Sequence, residues 1–354
     1  MGIKRSAKVF VLIAALAFIV LACFSVGLLN LNNTPRLKAF NKVPFSSSLK
    51  YLYSDIDFSG PKEESSLNCE ALNNDFIKKF SGYEKKCLAI NYEVTDYTTR
   101  AVLIKSVVKN KSKKPRLLVY NHGHGGLPVE SEVFAYELIS GALETENDVL
   151  LVSMPFIGID KQSRPIKVKT WDGEATYNPA DLETSFAAWH GVFEMFDTGR
   201  SHYMRFFIDN AVLNVLSLDE QYRAINFVGL SGGATTGLYT CNVLKDLLDH
   251  CILVAGVMPL KYRFAKNTFG DAEQISSSFF KRHGTIDLIK EIAQSTEKLQ
   301  LVYNDKDACC FTEDSSRPFK SDLEAGNINV GFLIRNSTAH EYDPSLILST
   351  INTN

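Results

Sequence analysis

The sequence predicts an α/β protein, with one mostly parallel sheet covered by helices on both faces. Three observations carry that expectation. Short apolar runs recur at 116–120, 148–153, 224–230, 251–257 and 299–303 with helical patterns between them, and strands alternating with helices mean parallel strands buried on both sides. Two earlier runs, 88–94 and 100–108, are joined by the turn residues 95–99 and read as an antiparallel hairpin. With 354 residues, 45% of them hydrophobic, the chain can bury a large core.

The chain opens with Lys4, Arg5 and Lys8 before an almost uninterrupted apolar run, 9–31. About 23 residues at about 1.5 Å each span a bilayer core of about 30 Å. The run is longer than a signal-peptide core, so residues 1–31 are expected to form a signal anchor, a single transmembrane helix with its positive end in the cytoplasm. The rest of the chain is then extracytoplasmic, periplasmic in a bacterium. Two alternatives are a cleaved signal and a lipoprotein, since Val20-Leu21-Ala22-Cys23 loosely resembles a lipidation box. Residues 32–85, rich in Asn, Ser, Lys and aromatic side chains, read as a juxtamembrane spacer and an N-terminal extension packed on the main domain, 86–354.

Composition removes other classes. A net charge of −2 and a pI near 6.4 provide no broad basic surface, so nucleic acid is not an expected partner. The basic run 111–116 reads as a solvated loop. Beyond Cys23 there are six cysteines, an even number suited to bridges in an oxidising compartment. Cys69 with Cys87 is the first pairing to test; their spacing matches no zinc pattern. Asn32, Asn110 and Asn336 open glycosylation sequons.

The segment 155–201 is longer than a strand-to-helix link requires and reads as an insertion over the strand ends. It holds a mixed stretch, 160–177, and an amphipathic stretch, 181–196, with Trp189, Phe193 and Phe196 at helical spacing. That stripe is either packing or the wall of a substrate pocket. Residues 204–216 read as the helix that covers the sheet before the next strand.

Chemistry gathers at the carboxyl ends of strands in such sheets. The run 224–230 leads into Gly229-Leu230-Ser231-Gly232-Gly233 and then a helical pattern, which puts Ser231 on a sharp strand-to-helix turn. Serine needs a base, a group to orient that base, and donors for the oxyanion. His340, on a late loop before a last helix, is the expected base. Strand 299–303 ends in Asn304-Asp305-Lys306-Asp307, and Asp307 is preferred as the acid because the turn consumes Asn304 to Lys306. Asp305 reads as a solvated turn residue and Asp271 as a third option. Oxyanion donors are expected from the N–H of Gly232 and from His124 and Gly125 in His122-Gly123-His124-Gly125-Gly126, after strand 116–120. His122 and His124 also suggest a metal pair, but Gly126 and Leu127 stand where the pattern would continue with Asp and His. No metal or cofactor is therefore expected, and His122 reads as a brace for its loop.

With these residues in hand, the segment 86–354 resembles the α/β-hydrolase superfamily, and within it the dienelactone-hydrolase and acetyl-xylan-esterase-like branch. The resemblance implies the order nucleophile, acid, base, here Ser231, Asp307, His340. It implies an acyl-enzyme mechanism on a small-molecule or lipid-like ester. Gly232 beside Gly233 departs from the many members with a bulkier residue there, and is expected to leave room above the serine. A peptidase or amidase, an acyltransferase with the same triad, and a non-catalytic exported binding protein on the same fold are the alternatives.

Overall fold

The computed structural model describes residues 47–53, 61–65, 69–92, 94–108, 113–125, 132–161, 164–178, 190–196, 202–265, 270–295 and 299–353. The apolar run 9–31 and Cys23 lie outside them. Among the described residues no helix is long and apolar enough to cross a membrane.

Eleven strands are present among the described residues: β1 Lys62–Glu64, β2 Lys85–Asn91, β3 Thr98–Ile104, β4 Arg116–Asn121, β5 Asn147–Val152, β6 Ile166–Thr170, β7 Gly173–Tyr177, β8 Ala224–Leu230, β9 His250–Val254, β10 Leu299–Asn304 and β11 Gly331–Arg335. Nine of them form one sheet in the order β1-β2-β3-β5-β4-β8-β9-β10-β11. From β5 through β4 to β11 every pairing is parallel, while β3 runs antiparallel to both β2 and β5. The predicted hairpin is thus β2 with β3, and it is the antiparallel edge of a parallel sheet.

Every residue of β4, β5 and β8 is buried, as their continuous apolar sequence requires when both faces are covered. The helices that cover them form two groups. Helix Glu132–Glu144 packs with the last helix, Pro344–Ile351, and helix Gly232–Val243 packs with Arg205–Leu218 and Thr285–Ser295. The extension before β2 contributes β1, helix Asp75–Lys78 and short 3-10 turns. Its Leu49, Leu52, Phe76 and Ile77 enter the core. Disulfides join Cys69 to Cys87, Cys241 to Cys251, and the adjacent Cys309 and Cys310. The first of these ties the extension to β2.

The insertion differs from its expected form. Its mixed stretch is a separate hairpin, β6 with β7. Of the stretch expected to be an amphipathic helix, the described part is a 3-10 turn, His190–Met195, and Trp189 lies outside the described residues. Phe193 and Phe196 are both buried, in an aromatic cluster with Phe206, and with Phe156 and Phe207 around Phe193. Five adjacent aromatic rings bury more area among themselves than a solvent-facing wall would allow.

Candidate active site

Ser231 follows β8 directly and precedes helix Gly232–Val243. Its backbone has φ 56° and ψ −126°, a strained conformation for a residue with a Cβ. The turn is held by the Ser231 N–H, which donates to the Val254 carbonyl at 2.9 Å. A Cβ on Gly229 would collide with the backbone of Gly233, so the tight turn has a steric need for glycine there. Gly232 is the first residue of the helix, and N–H groups at that position have no intrahelical acceptor.

Gly232 has a further reason to lack a side chain. A Cβ there would meet the His124 imidazole at Nδ1 and Cε1, and Met154 Sδ. The space expected to be open above the serine turn is therefore filled by His124. This loop, the 3-10 turn Gly123–Gly125 after β4, lies against the nucleophile turn as expected, and brings His124 and Gly125 to that side of the sheet.

Asp307 and His340 come from the ends of β10 and β11. His340 Nδ1 lies 3.0 and 2.9 Å from the two Asp307 oxygens. A carboxylate only accepts, so Nδ1 carries the proton and Nε2 is left with its lone pair. Nε2 is buried and has no hydrogen-bond partner, the condition a general base requires. It is not hydrogen-bonded to Ser231 here, and such bonds often tighten only when substrate is present. Asp307 Oδ1 also accepts from the N–H groups of Cys309 at 2.7 Å and Cys310 at 3.2 Å.

Two neighbours set the position of His340. Asn304 Nδ2 donates to the carbonyls of Ala339 at 2.7 Å and Glu341 at 2.8 Å, gripping the backbone on either side of the histidine. Asp305 is no idle turn residue: its Oδ1 accepts from the Ser337 N–H at 3.0 Å. Sequence reasoning missed both roles. The sole signal was the acid-rich turn itself, and nothing in it indicates which loop the side chains grip.

His122 is buried, with Nδ1 2.8 Å from the Tyr120 hydroxyl and its ring stacked on Phe134. It braces its loop and takes no part in a metal pair with His124. His124 joins a different group. Its Nε2 lies 3.3 Å from Asp271 Oδ2 and 3.0 Å from Glu273 Oε1, and His190 Nδ1 lies 2.6 Å from Asp271 Oδ2 and 3.4 Å from Glu273 Oε2. Asp271 is thus engaged by His124 and His190, whereas His340 is engaged by Asp307. Burial disfavours charge on both imidazoles. The two carboxylates outweigh it, raising His124 to about 9 and His190 to about 10.

The strand order, the strained serine between β8 and a helix, and an aspartate paired with a histidine beyond the ends of β10 and β11 are the arrangement of an α/β-hydrolase fold. No protein-family model and no curated protein matches the chain. Solved structures do. Est1E from Butyrivibrio proteoclasticus is 12% identical at a TM-score of 0.45, over 72% of this chain and 92% of that one. An S-formylglutathione hydrolase from Agrobacterium tumefaciens is 11% identical at 0.46, over 82% and 95%. The acylaminoacyl peptidase of Pyrococcus horikoshii is 16% identical at 0.44, over 77% and 41%. At these scores the likeness bears on neither activity nor substrate.

Proposed function

We propose that this protein is a serine hydrolase that cleaves a carboxylic ester through an acyl-enzyme. The observation that carries the reading is the joint geometry of Ser231, held at φ 56°, and a His340 whose Nδ1 is engaged by Asp307 while Nε2 stays buried and unpartnered. In that arrangement His340 takes the Ser231 proton as Oγ attacks the ester carbonyl. The Gly232 N–H and the His124–Gly125 loop stabilise the oxyanion, and His340 then returns the proton to the leaving alcohol. Water, deprotonated by the same histidine, releases the acid and restores the serine.

The test is labelling of the full chain with a fluorophosphonate. Wild type is expected to label, and Ser231→Ala and His340→Ala are not. A folded wild type that stays unlabelled would falsify the hydrolase reading. A series of p-nitrophenyl esters of increasing chain length then defines the acyl group. The apolar run 9–31, with Lys4, Arg5 and Lys8 before it, supports a membrane anchor that leaves this site on the extracytoplasmic side.

A further inference from the structure

We propose that His124, His190, Asp271 and Glu273 bind one divalent transition-metal ion, zinc foremost, in a closed site beside the nucleophile turn. Each residue offers one ligand atom, and these atoms all lie within 4.8 Å of one another. Zinc bonds of about 2.0–2.2 Å in a tetrahedron separate neighbouring ligand atoms by about 3.3–3.6 Å. Three of the observed N···O separations, 3.0 to 3.4 Å, lie near that edge length, and the fourth, His190 Nδ1 to Asp271 Oδ2, is shorter at 2.6 Å.

Charge alone does not distinguish a metal from protons, since two imidazolium groups would also balance two carboxylates. Bond directions do. Were the cluster an ion-pair network, each N–H would aim at an oxygen. Instead His190 Nδ1, Asp271 Oδ2 and both Glu273 oxygens are buried with no hydrogen-bond partner, although Nδ1 and Oδ2 are only 2.6 Å apart. His190 and Glu273 are wholly buried and Asp271 is 5% exposed. Unpartnered carboxylate oxygens at such depth cost several kcal/mol each. A cation at their focus would take His190 Nδ1, Asp271 Oδ2 and one Glu273 oxygen as ligands, with His124 Nε2 as the fourth.

The surroundings match what metal ligands require. His190 Nε2 lies 3.0 Å from the Pro155 carbonyl, which can only accept, so Nε2 holds the proton and Nδ1 turns its lone pair into the cluster. Such a carbonyl behind the ring is the usual support of a ligating histidine. Asp271 is oriented by the helix it caps: Oδ1 accepts from the Ala272 N–H at 2.7 Å, leaving Oδ2 for the cluster. Two imidazoles with two carboxylates suit zinc and its transition-metal neighbours, whereas calcium and magnesium favour all-oxygen sets.

Four protein ligands leave no open position, so the ion is structural. It joins the loop after β4, the insertion and the segment after β9, and holds the His124 ring against Gly232. Its effect on catalysis, which rests on the hydrolase reading, is to keep the oxyanion loop in place.

The experiment uses the full chain purified in detergent. Elemental analysis after dialysis should find about one transition-metal ion per chain, and less than about a tenth of that in His190→Ala and Glu273→Gln. Because a misfolded variant would lose metal too, the wild type is also stripped with dipicolinate. Its Tm should fall, return with Zn2+ and not with Mg2+, and Co2+ should give the visible absorption of a tetrahedral ion. A stripped wild type with no Co2+ band, and a Tm indifferent to stripping and to Zn2+, overturns the proposal. Fluorophosphonate labelling separates the two readings: a chain that binds zinc but never labels overturns the hydrolase alone, and one that labels but binds no ion overturns the metal site alone.

Discussion

Asp305 and Asp307 stand two residues apart on one loop and serve different partners. Asp307 orients the imidazole through both oxygens, and an amide there would put a donor against Nδ1–H or force the other tautomer. Asp307→Asn is therefore expected to lower kcat/KM on p-nitrophenyl acetate by roughly 10⁴. Asp305→Asn retains an Oδ1 that accepts from Ser337 and should stay within about threefold of wild type. A reversed order of effects would reassign the acid. Gly232 supplies a second contrast, because its Cβ position is taken by His124 and Met154 while Gly82 faces open space. Gly232→Ala is expected to slow turnover by about 10² or more, the cost of a displaced oxyanion donor. Gly82→Ala should leave it unchanged in the same assay.

Among the elements, the insertion is anchored by one buried acid. Asp160, at the end of the turn Gly158–Asp160, accepts from the Thr99 hydroxyl at 3.1 Å, the Arg100 N–H at 2.8 Å and the Phe156 N–H at 3.3 Å, and is hydrogen-bonded to the Tyr97 hydroxyl. Burial raises its pKa to about 7 against the lowering effect of these donors. Its folded pKa then exceeds its unfolded one, so the fold keeps a proton that the unfolded chain releases. The stabilisation it contributes is complete below about pH 4 and is lost as pH rises through about 7, a change on the order of 4 kcal/mol. Asp160→Asn, neutral at every pH, should remove this component. Urea unfolding at pH 5 and at pH 7 should show wild type losing more stability over that interval than the variant. An equal change in both would show that Asp160 is already ionised in the fold at pH 5.

For the molecule as a whole, the sheet gathers the loops after β4, β8, β9, β10 and β11 on one edge, so residues distant in sequence meet there. The extension before β2 is fastened to the domain by the Cys69–Cys87 disulfide and by the Arg100–Glu64 ion pair at 2.7 Å. An anchor at 9–31 would hold the domain near the membrane surface. If the run spans the bilayer, the protein should remain in the membrane pellet through alkaline carbonate washing. Removal of residues 1–31 should release it. Release of the intact chain by carbonate would exclude a spanning anchor.

The parallel sheet, the hairpin at its edge and the serine turn could all be read in one dimension. Each depends on short-range rules: continuous apolar runs for strands covered on both sides, and glycines where 229 and 233 approach one another. Asp307 and His340 were legible through their order along the chain, since β10 and β11 are consecutive. The burial of Phe193 and Phe196 was not, because helical spacing on a stripe does not say whether another ring covers it. Nor were Asn304 and Asp305 as supports of the base, since each grips a loop more than thirty residues downstream. The cluster of His124, His190, Asp271 and Glu273 is the extreme case. Its members lie on three separate loops with no common spacing, and only the crossing of those loops over one end of the sheet turns four isolated residues into a set of converging ligands.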